Sequence, residues 1–76
     1  MNRITDKELK AKVEHLNGIL ERYNAPGVYL GESNGWTNLH QTGSNAILES
    51  GTKREVFNFV RGMIASFYLL YEATKK

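Results

Sequence analysis

The dipeptide Asn34-Gly35 is the feature that most constrains the fold of this chain. Both residues accept positive φ angles, and such a pair between two apolar segments is typical of a two-residue turn that joins antiparallel strands. We therefore predict a hairpin over about residues 27–42. The turn sets its register, which pairs Ser33 with Trp36, Leu30 with Leu39, and Tyr29 with His40.

The register also assigns side chains to faces, because successive side chains of a strand point to opposite sides. The face predicted to point at the helices carries Val28, Leu30 and Leu39. The opposite face carries Tyr29, Trp36, Asn38 and His40. After a turn at residues 42–45, we predict a short third strand over about residues 46–49.

Two T-x-x-E patterns mark the starts of two helices, because each side chain of such a pair can bond the free backbone amide of the other. The patterns are Thr5 with Glu8, and Thr52 with Glu55. They predict helices over about residues 5–23 and 53–73, and Pro26 prevents the first helix from continuing. The predicted fold class is α+β: helix, two- or three-stranded antiparallel sheet, helix, in a single small domain.

The second helix carries more apolar surface than so small a fold can cover. A chain of 76 residues buries only about 60% of its unfolded surface. It has no cysteine to add a disulfide, so oligomerisation is the common remaining source of stability. We predict a homo-oligomer whose interface is formed by Phe57, Ile64, Phe67, Tyr68 and Tyr71. The open alternative is that the sheet and the first helix cover this surface.

Two groups of residues suggest a ligand site. Tyr29, Trp36, Asn38 and His40 combine stacking surface with uncharged hydrogen-bonding groups, a mixture that suits a nucleotide or a protein partner. Thr52, Lys53 and Arg54 place amides at a helix start beside two cations, where an anion such as phosphate is favoured. The open alternatives are cross-strand pairing for the first group and an ordinary helix cap for the second.

Catalytic patterns are not found in the sequence. His15 and His40 lie on different predicted elements, and neither has a partner at the spacing that zinc requires. The chain has no nucleophile elbow and no phosphate-binding G-x-x-x-x-G-K-[ST] loop. We therefore predict no enzyme activity, no catalytic residue, no metal site and no cofactor.

The charge pattern narrows the class of partner. The net charge is +2, from ten basic and eight acidic residues, and residues 23–52 contain neither lysine nor arginine. This balance disfavours nucleic acid, whose binding depends on phosphate contacts. No apolar stretch approaches the length of a membrane span, and the N-terminus is polar, so we expect a cytosolic protein without a membrane partner.

Several segments, taken in order, resemble a widespread family of small, uncharacterised bacteriophage proteins. The matching segments are Leu16-Asn17 in the first helix, the strand with Tyr29, the stretch Gly35-Trp36-x-x-Leu39-His40, and the helix start at residues 50–58. The resemblance covers roughly residues 13–67. The chain departs from the family at Asn34-Gly35-Trp36, where a glycine pair and tyrosine are usual, and has a shorter stretch at Gly43-Ser44. The resemblance implies a phage origin and the host bacterial cytoplasm, but no activity.

The element order is also similar to that of the double-stranded-RNA-binding domain. That family places a lysine cluster at the start of its last helix, where this chain has Lys53 and Arg54 but then Phe57 in place of a further lysine. We predict a phage accessory protein that acts by stoichiometric binding, as in counter-defence, either by blocking a host protein or by sequestering a phosphorylated small molecule such as a signalling nucleotide. The alternatives are a nucleic-acid-binding regulator and a structural component of the virion.

Overall fold

A computed structural model describes residues 3–74 and shows two helices packed on a three-stranded antiparallel sheet. The elements, in chain order, are α1 (Asp6–Arg22), β1 (Val28–Ser33), β2 (Trp36–Gln41), β3 (Ile47–Gly51) and α2 (Lys53–Thr74). The strand order is β1-β2-β3, with β2 in the centre. The predicted α+β class is confirmed, and the third strand forms.

The hairpin has the predicted turn and register. Asn34 has a φ of 54° and Gly35 a φ of 81°, the two positive angles that match the twist of antiparallel strands. The cross-strand pairs include Ser33 with Trp36, Leu30 with Leu39, and Tyr29 with His40. A local turn preference therefore places every side chain of the hairpin on its correct face.

The core lies between the inner face of the sheet and the two helices. Leu16, Leu39, Val56 and Val60 are its largest fully buried side chains. They come from α1, β2 and α2, so burial of this cluster is what holds the elements together. The opposite face of the sheet, called the outer face below, is not covered by α1 or α2.

Asn17 joins α1 to the start of β1. Its side-chain amide donates to the Val28 carbonyl oxygen at 3.0 Å, and the Val28 N–H donates to its side-chain oxygen at 2.8 Å. The fit is close, because a Cβ atom on Gly27 would lie 2.9 Å from that oxygen. Asn17 thus occupies both backbone groups of Val28, as a neighbouring strand would.

Both predicted capping boxes form. At α1, the Glu8 N–H donates to the Thr5 hydroxyl oxygen at 3.1 Å and the Thr5 N–H donates to the Glu8 carboxylate at 3.0 Å. At α2, the Thr52 N–H donates to the Glu55 carboxylate at 2.8 Å, and the Glu55 N–H donates to the Thr52 hydroxyl oxygen at 3.1 Å. At each helix start, the amide of the N-cap residue and the third amide of the helix therefore have partners.

The capping carboxylate of α1 makes stability depend on pH on the acid side. The backbone N–H of Thr5, and then its hydroxyl, lower the pKa of Glu8 from its ordinary value. A carboxyl whose pKa is lower in the folded state stabilises the fold above its unfolded pKa, and this stabilisation is lost as pH falls through the folded value. Glu8→Gln is therefore expected to lower the melting temperature at pH 7 and to flatten its fall toward pH 3. Thermal melts by circular dichroism check this, with the exposed Glu14→Gln as control. A variant with the wild-type acid dependence would contradict it.

Candidate functional site

The predicted ligand residues of the outer face begin with a stacked pair. The rings of Tyr29 and His40 lie parallel, with centroids 4.9 Å apart and an interplanar angle of 12°. The Tyr29 hydroxyl donates to the Asn45 side-chain oxygen at 2.7 Å, and His40 Nδ1 lies 3.3 Å from the Asn45 carbonyl oxygen. The pair is packed closely onto β1, because a Cβ atom on Gly31 would lie 3.1 Å from His40 Nε2. These groups already have partners within the chain, which is the arrangement of a cross-strand pair.

Asn38 lies in the centre of the same face but is only 6% exposed. Its side-chain oxygen accepts a hydrogen bond of 2.6 Å from the Ser50 hydroxyl. That bond links β2 to β3 and leaves the side-chain amide group for other contacts. Asn38 is therefore less accessible to a ligand than the alternating pattern alone suggested.

Trp36 lies apart from the Tyr29–His40 pair, at the hairpin end of the sheet. It is 52% exposed, and by strand geometry it lies roughly 13 Å along β2 from His40. A shallow pocket of about 490 Å³ brings it together with Thr52, Lys53, Arg54 and Arg3. The structure thus divides the predicted ligand residues into two separate groups. Arg3 was missed by the sequence analysis, because it precedes the first predicted helix and matches no motif.

Carboxylates already occupy the predicted anion site at the start of α2. Lys53 Nζ lies 2.9 Å from the Asp6 carboxylate. This contact lowers the pKa of Asp6, first through the hydrogen bond and then through the charge of Lys53. The Thr52 amide is bonded to Glu55, so a phosphate here would compete with carboxylates for the amide and for one cation. The helix cap is observed, and the anion site remains a prediction.

The last turns of α2 carry a run of four large apolar residues that are exposed. The exposed fractions are 54% for Tyr68, 72% for Leu69, 56% for Leu70 and 53% for Tyr71. Consecutive residues point in different directions around a helix, so the exposure at this end of α2 extends around the helix, although the Tyr68 hydroxyl lies 3.3 Å from His15 Nε2 of α1. Tyr23, 51% exposed, adds its ring at 5.2 Å from that of Phe67. We call these residues, Tyr23 and 67–71, the aromatic end.

The aromatic end overlaps the predicted oligomer interface only in part. Ile64 is 7% exposed and belongs to the core. Phe57 is half-buried, and Lys12 Nζ lies 5.6 Å from its ring centroid. Tyr68 and Tyr71 are the members of the predicted set that are more than half exposed. The sheet and α1 cover more of α2 than the sequence suggested, and the uncovered surface is concentrated at one end.

Leu69 and Leu70 are not in the predicted interface set, although the sequence holds a signal for Leu69. Residues four apart on a helix share a side, and Arg61, Ala65 and Leu69 form such a row on the exposed side of α2. Leu69 is an apolar residue at the end of a solvent-facing row, and with its exposed neighbours it forms a contiguous patch of the kind that usually marks an interaction site.

A hollow of about 570 Å³ lies beside the aromatic end. It is lined by Ile19, Arg22, Tyr23, Phe67, Tyr68, Tyr71 and Glu72. Arg22 and Glu72 give it one charge of each sign around an aromatic floor. The hollow therefore suits a surface that is itself apolar with paired charges.

None of the helices within residues 3–74 has the length and apolar character needed to cross a membrane. In the same range, no three or more histidine, aspartate or glutamate residues are grouped so as to hold a metal ion.

Comparison with known proteins finds no relatives. No protein-family model matches this chain, and neither a curated protein nor a solved structure matches it. These results do not bear on the resemblance to small bacteriophage proteins, which remains a prediction from the sequence.

Proposed function

We propose that this chain is a small bacteriophage accessory protein that self-associates through the aromatic end and acts by stoichiometric binding of a host protein. The observation that carries the proposal is the uncovered end of α2, where Tyr68, Leu69, Leu70 and Tyr71 are each more than half exposed. A stable monomer rarely leaves contiguous apolar surface of this kind in water. Tyrosine and leucine side chains offer contact area, and tyrosine is enriched among the residues that dominate binding energy.

A second copy is a suitable partner for the aromatic end, because the patch combines apolar surface with one charge of each sign. In a two-fold dimer the same patch contributes from both subunits. Arg22 and Glu72 flank the aromatic residues, so a two-fold axis between two patches can place each arginine near the glutamate of the other copy. Self-association through α2 would leave the sheet of each subunit available to a further partner.

The phage setting rests on the sequence resemblance, which centres on Leu16-Asn17, the hairpin and the start of α2. Small accessory proteins of phages commonly act by binding and modulating a host process, including antiviral defence. Counter-defence in the host bacterial cytoplasm is therefore the setting that we propose.

Native mass spectrometry of the chain purified from expressing bacterial cells tests the proposal. We expect a discrete homo-oligomer, with the dimer as the smallest species, and the same stoichiometry by sedimentation velocity at micromolar concentration. The exposed apolar surface drives this association, so it should persist in high salt. A monomer at all concentrations would contradict self-association.

A phosphorylated small molecule is the second candidate ligand, favoured by the pocket at Trp36. The pocket places an aromatic ring near Arg3, Lys53 and Arg54, which suits a base beside a phosphate. Titration of Trp36 fluorescence with cyclic and adenine nucleotides tests it. A saturable change would favour a protein that sequesters a signalling nucleotide, and a flat response would remove that function.

The nucleic-acid alternative is favoured by the observed order of helix, three strands and helix, with Lys53 and Arg54 opening α2. Asp6, Glu8 and Glu55 lie close to these cations and oppose it. Binding to duplex RNA should then weaken steeply with salt, and Lys53→Ala and Arg54→Ala should each reduce the slope. Absent or salt-independent binding excludes this alternative.

A further inference from the structure

The outer edge of β1 presents backbone groups that point away from the sheet. The Thr42 N–H donates to the Gly27 carbonyl oxygen at 2.9 Å. In an antiparallel pair, bonded and non-bonded positions alternate. The observed register therefore bonds Tyr29, Gly31 and Ser33 to β2. The intervening positions, Val28, Leu30 and Glu32, direct their N–H and carbonyl groups outward.

Asn17 confirms this direction at the first of these positions. Both backbone groups of Val28 bond to the Asn17 side chain, which lies on the side opposite β2. Within residues 3–74, no hydrogen bond occupies the outward groups of Leu30 and Glu32. The outward backbone groups of the edge are thus bonded at Val28, and those of Leu30 and Glu32 are available to an added strand.

A groove runs beside this open edge. It has a volume of about 380 Å³, and its walls include Asp6, Leu9 and Lys10 of α1 together with Leu30 and Glu32 of β1. Side chains of an added strand that stand opposite Leu30 and Glu32 would point into the groove, because residues opposite each other share a face. The same added segment would therefore contact both features: its backbone would bond the edge, and its side chains would enter the groove.

We propose that this edge and groove bind an extended segment of the partner protein, which adds a fourth strand to the sheet next to β1. The inference rests on the proposed function and names how the host protein is held. Strand addition supplies affinity through backbone bonds and specificity through alternate side chains. It also removes the unpaired edge, which folded proteins otherwise protect.

The charges of the groove define the segment. The residue opposite Leu30 meets apolar side chains, so it is apolar. The residue opposite Glu32 faces a carboxylate that has no ion pair within residues 3–74. Asp6, in contrast, is paired with Lys53 and also feels the charge of Lys10, the cation in the groove wall. Opposite charges across a strand pair are favoured, so this second residue is basic. The segment therefore carries an apolar and a basic side chain two positions apart.

A second copy of this chain is a poorer occupant. Antiparallel pairing of two β1 strands with Leu30 opposite Glu32 brings the Glu32 carboxylate of the second copy into a groove that already holds Glu32 and Asp6. Like charges at neighbouring strand positions are unfavourable.

Nuclear magnetic resonance of the full ¹⁵N-labelled chain tests the inference. The probe is a capped heptapeptide with a central valine, a lysine two positions away on each side, and threonine elsewhere. We expect the amide signals of Leu30 and Glu32 to shift on titration, and their exchange with solvent to slow by about tenfold or more at saturation. A peptide with glutamates in place of the lysines should bind more weakly, and one methylated at the valine amide nitrogen should bind more weakly still.

Two variants give matched controls on the protein side. Glu32→Pro removes an outward N–H without removing a bond to β2, a position where an edge strand tolerates proline. It should abolish the response. Glu32→Thr keeps the N–H but loses the carboxylate, so it should still respond to the lysine peptide, more weakly, and should no longer prefer that peptide to the one with glutamates. If Glu32→Pro does not fold, the methylated peptide still decides the matter. Unmoved Leu30 and Glu32 signals at millimolar peptide would overturn the inference.

The result separates this inference from the proposed self-association. An oligomer whose β1 edge ignores the peptide overturns only strand addition. A monomer whose edge responds overturns only the association through α2. Signals that respond to protein concentration and not to peptide would assign the edge to a second copy and overturn binding of a partner segment.

Discussion

Asn17→Ala is expected to lower the free energy of unfolding by about 2–4 kcal/mol. The substitution leaves the N–H and the carbonyl of Val28 without their partners at 2.8 and 3.0 Å. Val28 is only 5% exposed, so water replaces the lost bonds poorly. A domain of this length has a total stability of only about 4–11 kcal/mol. The melting temperature should therefore fall by roughly 10–20 °C.

Urea denaturation followed by circular dichroism measures this loss. The control is Asn58→Ala, at an exposed position of α2, which should change the free energy of unfolding by less than about 0.5 kcal/mol. Asn17→Asp keeps one acceptor and loses the donor, so it should be intermediate. Equal stability of the Asn17 and Asn58 variants would show that α1 does not hold β1 through this side chain.

Gly27 offers a second test of the same joint. A Cβ atom at this position would lie 2.9 Å from the Asn17 side-chain oxygen, so Gly27→Ala pushes the amide away from Val28. The two substitutions damage one contact, and their effects on the free energy of unfolding should be less than additive.

The outline of the fold could be predicted because its signals are local. Asn34-Gly35 fixes the hairpin register through its own φ angles, and each T-x-x-E pattern satisfies amides within a single turn. Asn17 has no such signature, since its partner Val28 is eleven residues away and the contact exists only once α1 packs beside β1. The alternating pattern likewise placed Trp36 and His40 on one face. It could not show that Trp36 lies beside the start of α2 while His40 stacks on Tyr29.

The sequence could predict that α2 has excess apolar surface, but not which of its residues are exposed. The sequence shows a helix with too many apolar residues for a small domain. Which of them are covered depends on where α1 and the sheet end, and this is a property of the assembled fold. Ile64 is therefore in the core, while Leu69, which a purely amphipathic reading leaves out, is the most exposed large apolar residue.

Leu69→Glu combined with Leu70→Glu is expected to weaken self-association at least about 100-fold, which corresponds to roughly 2.8 kcal/mol or more. Both side chains are more than half exposed, so the fold of a single chain loses little apolar burial. At an interface, however, each new carboxylate would be taken out of water without a partner, which costs several kcal/mol per charge.

Sedimentation equilibrium over a wide concentration range gives the dissociation constants. The control is Ala65→Glu, which adds one carboxylate a turn before Leu69 on the same exposed side of α2 but outside the aromatic end. It should leave the dissociation constant within about threefold of wild type, because an exposed charge outside an interface contributes little. If the double variant associates as tightly as the control, the contact between subunits lies elsewhere, and the aromatic end is left for the host protein alone. If it becomes monomeric while its circular dichroism is unchanged, the exposed end of α2 is the surface through which this chain assembles.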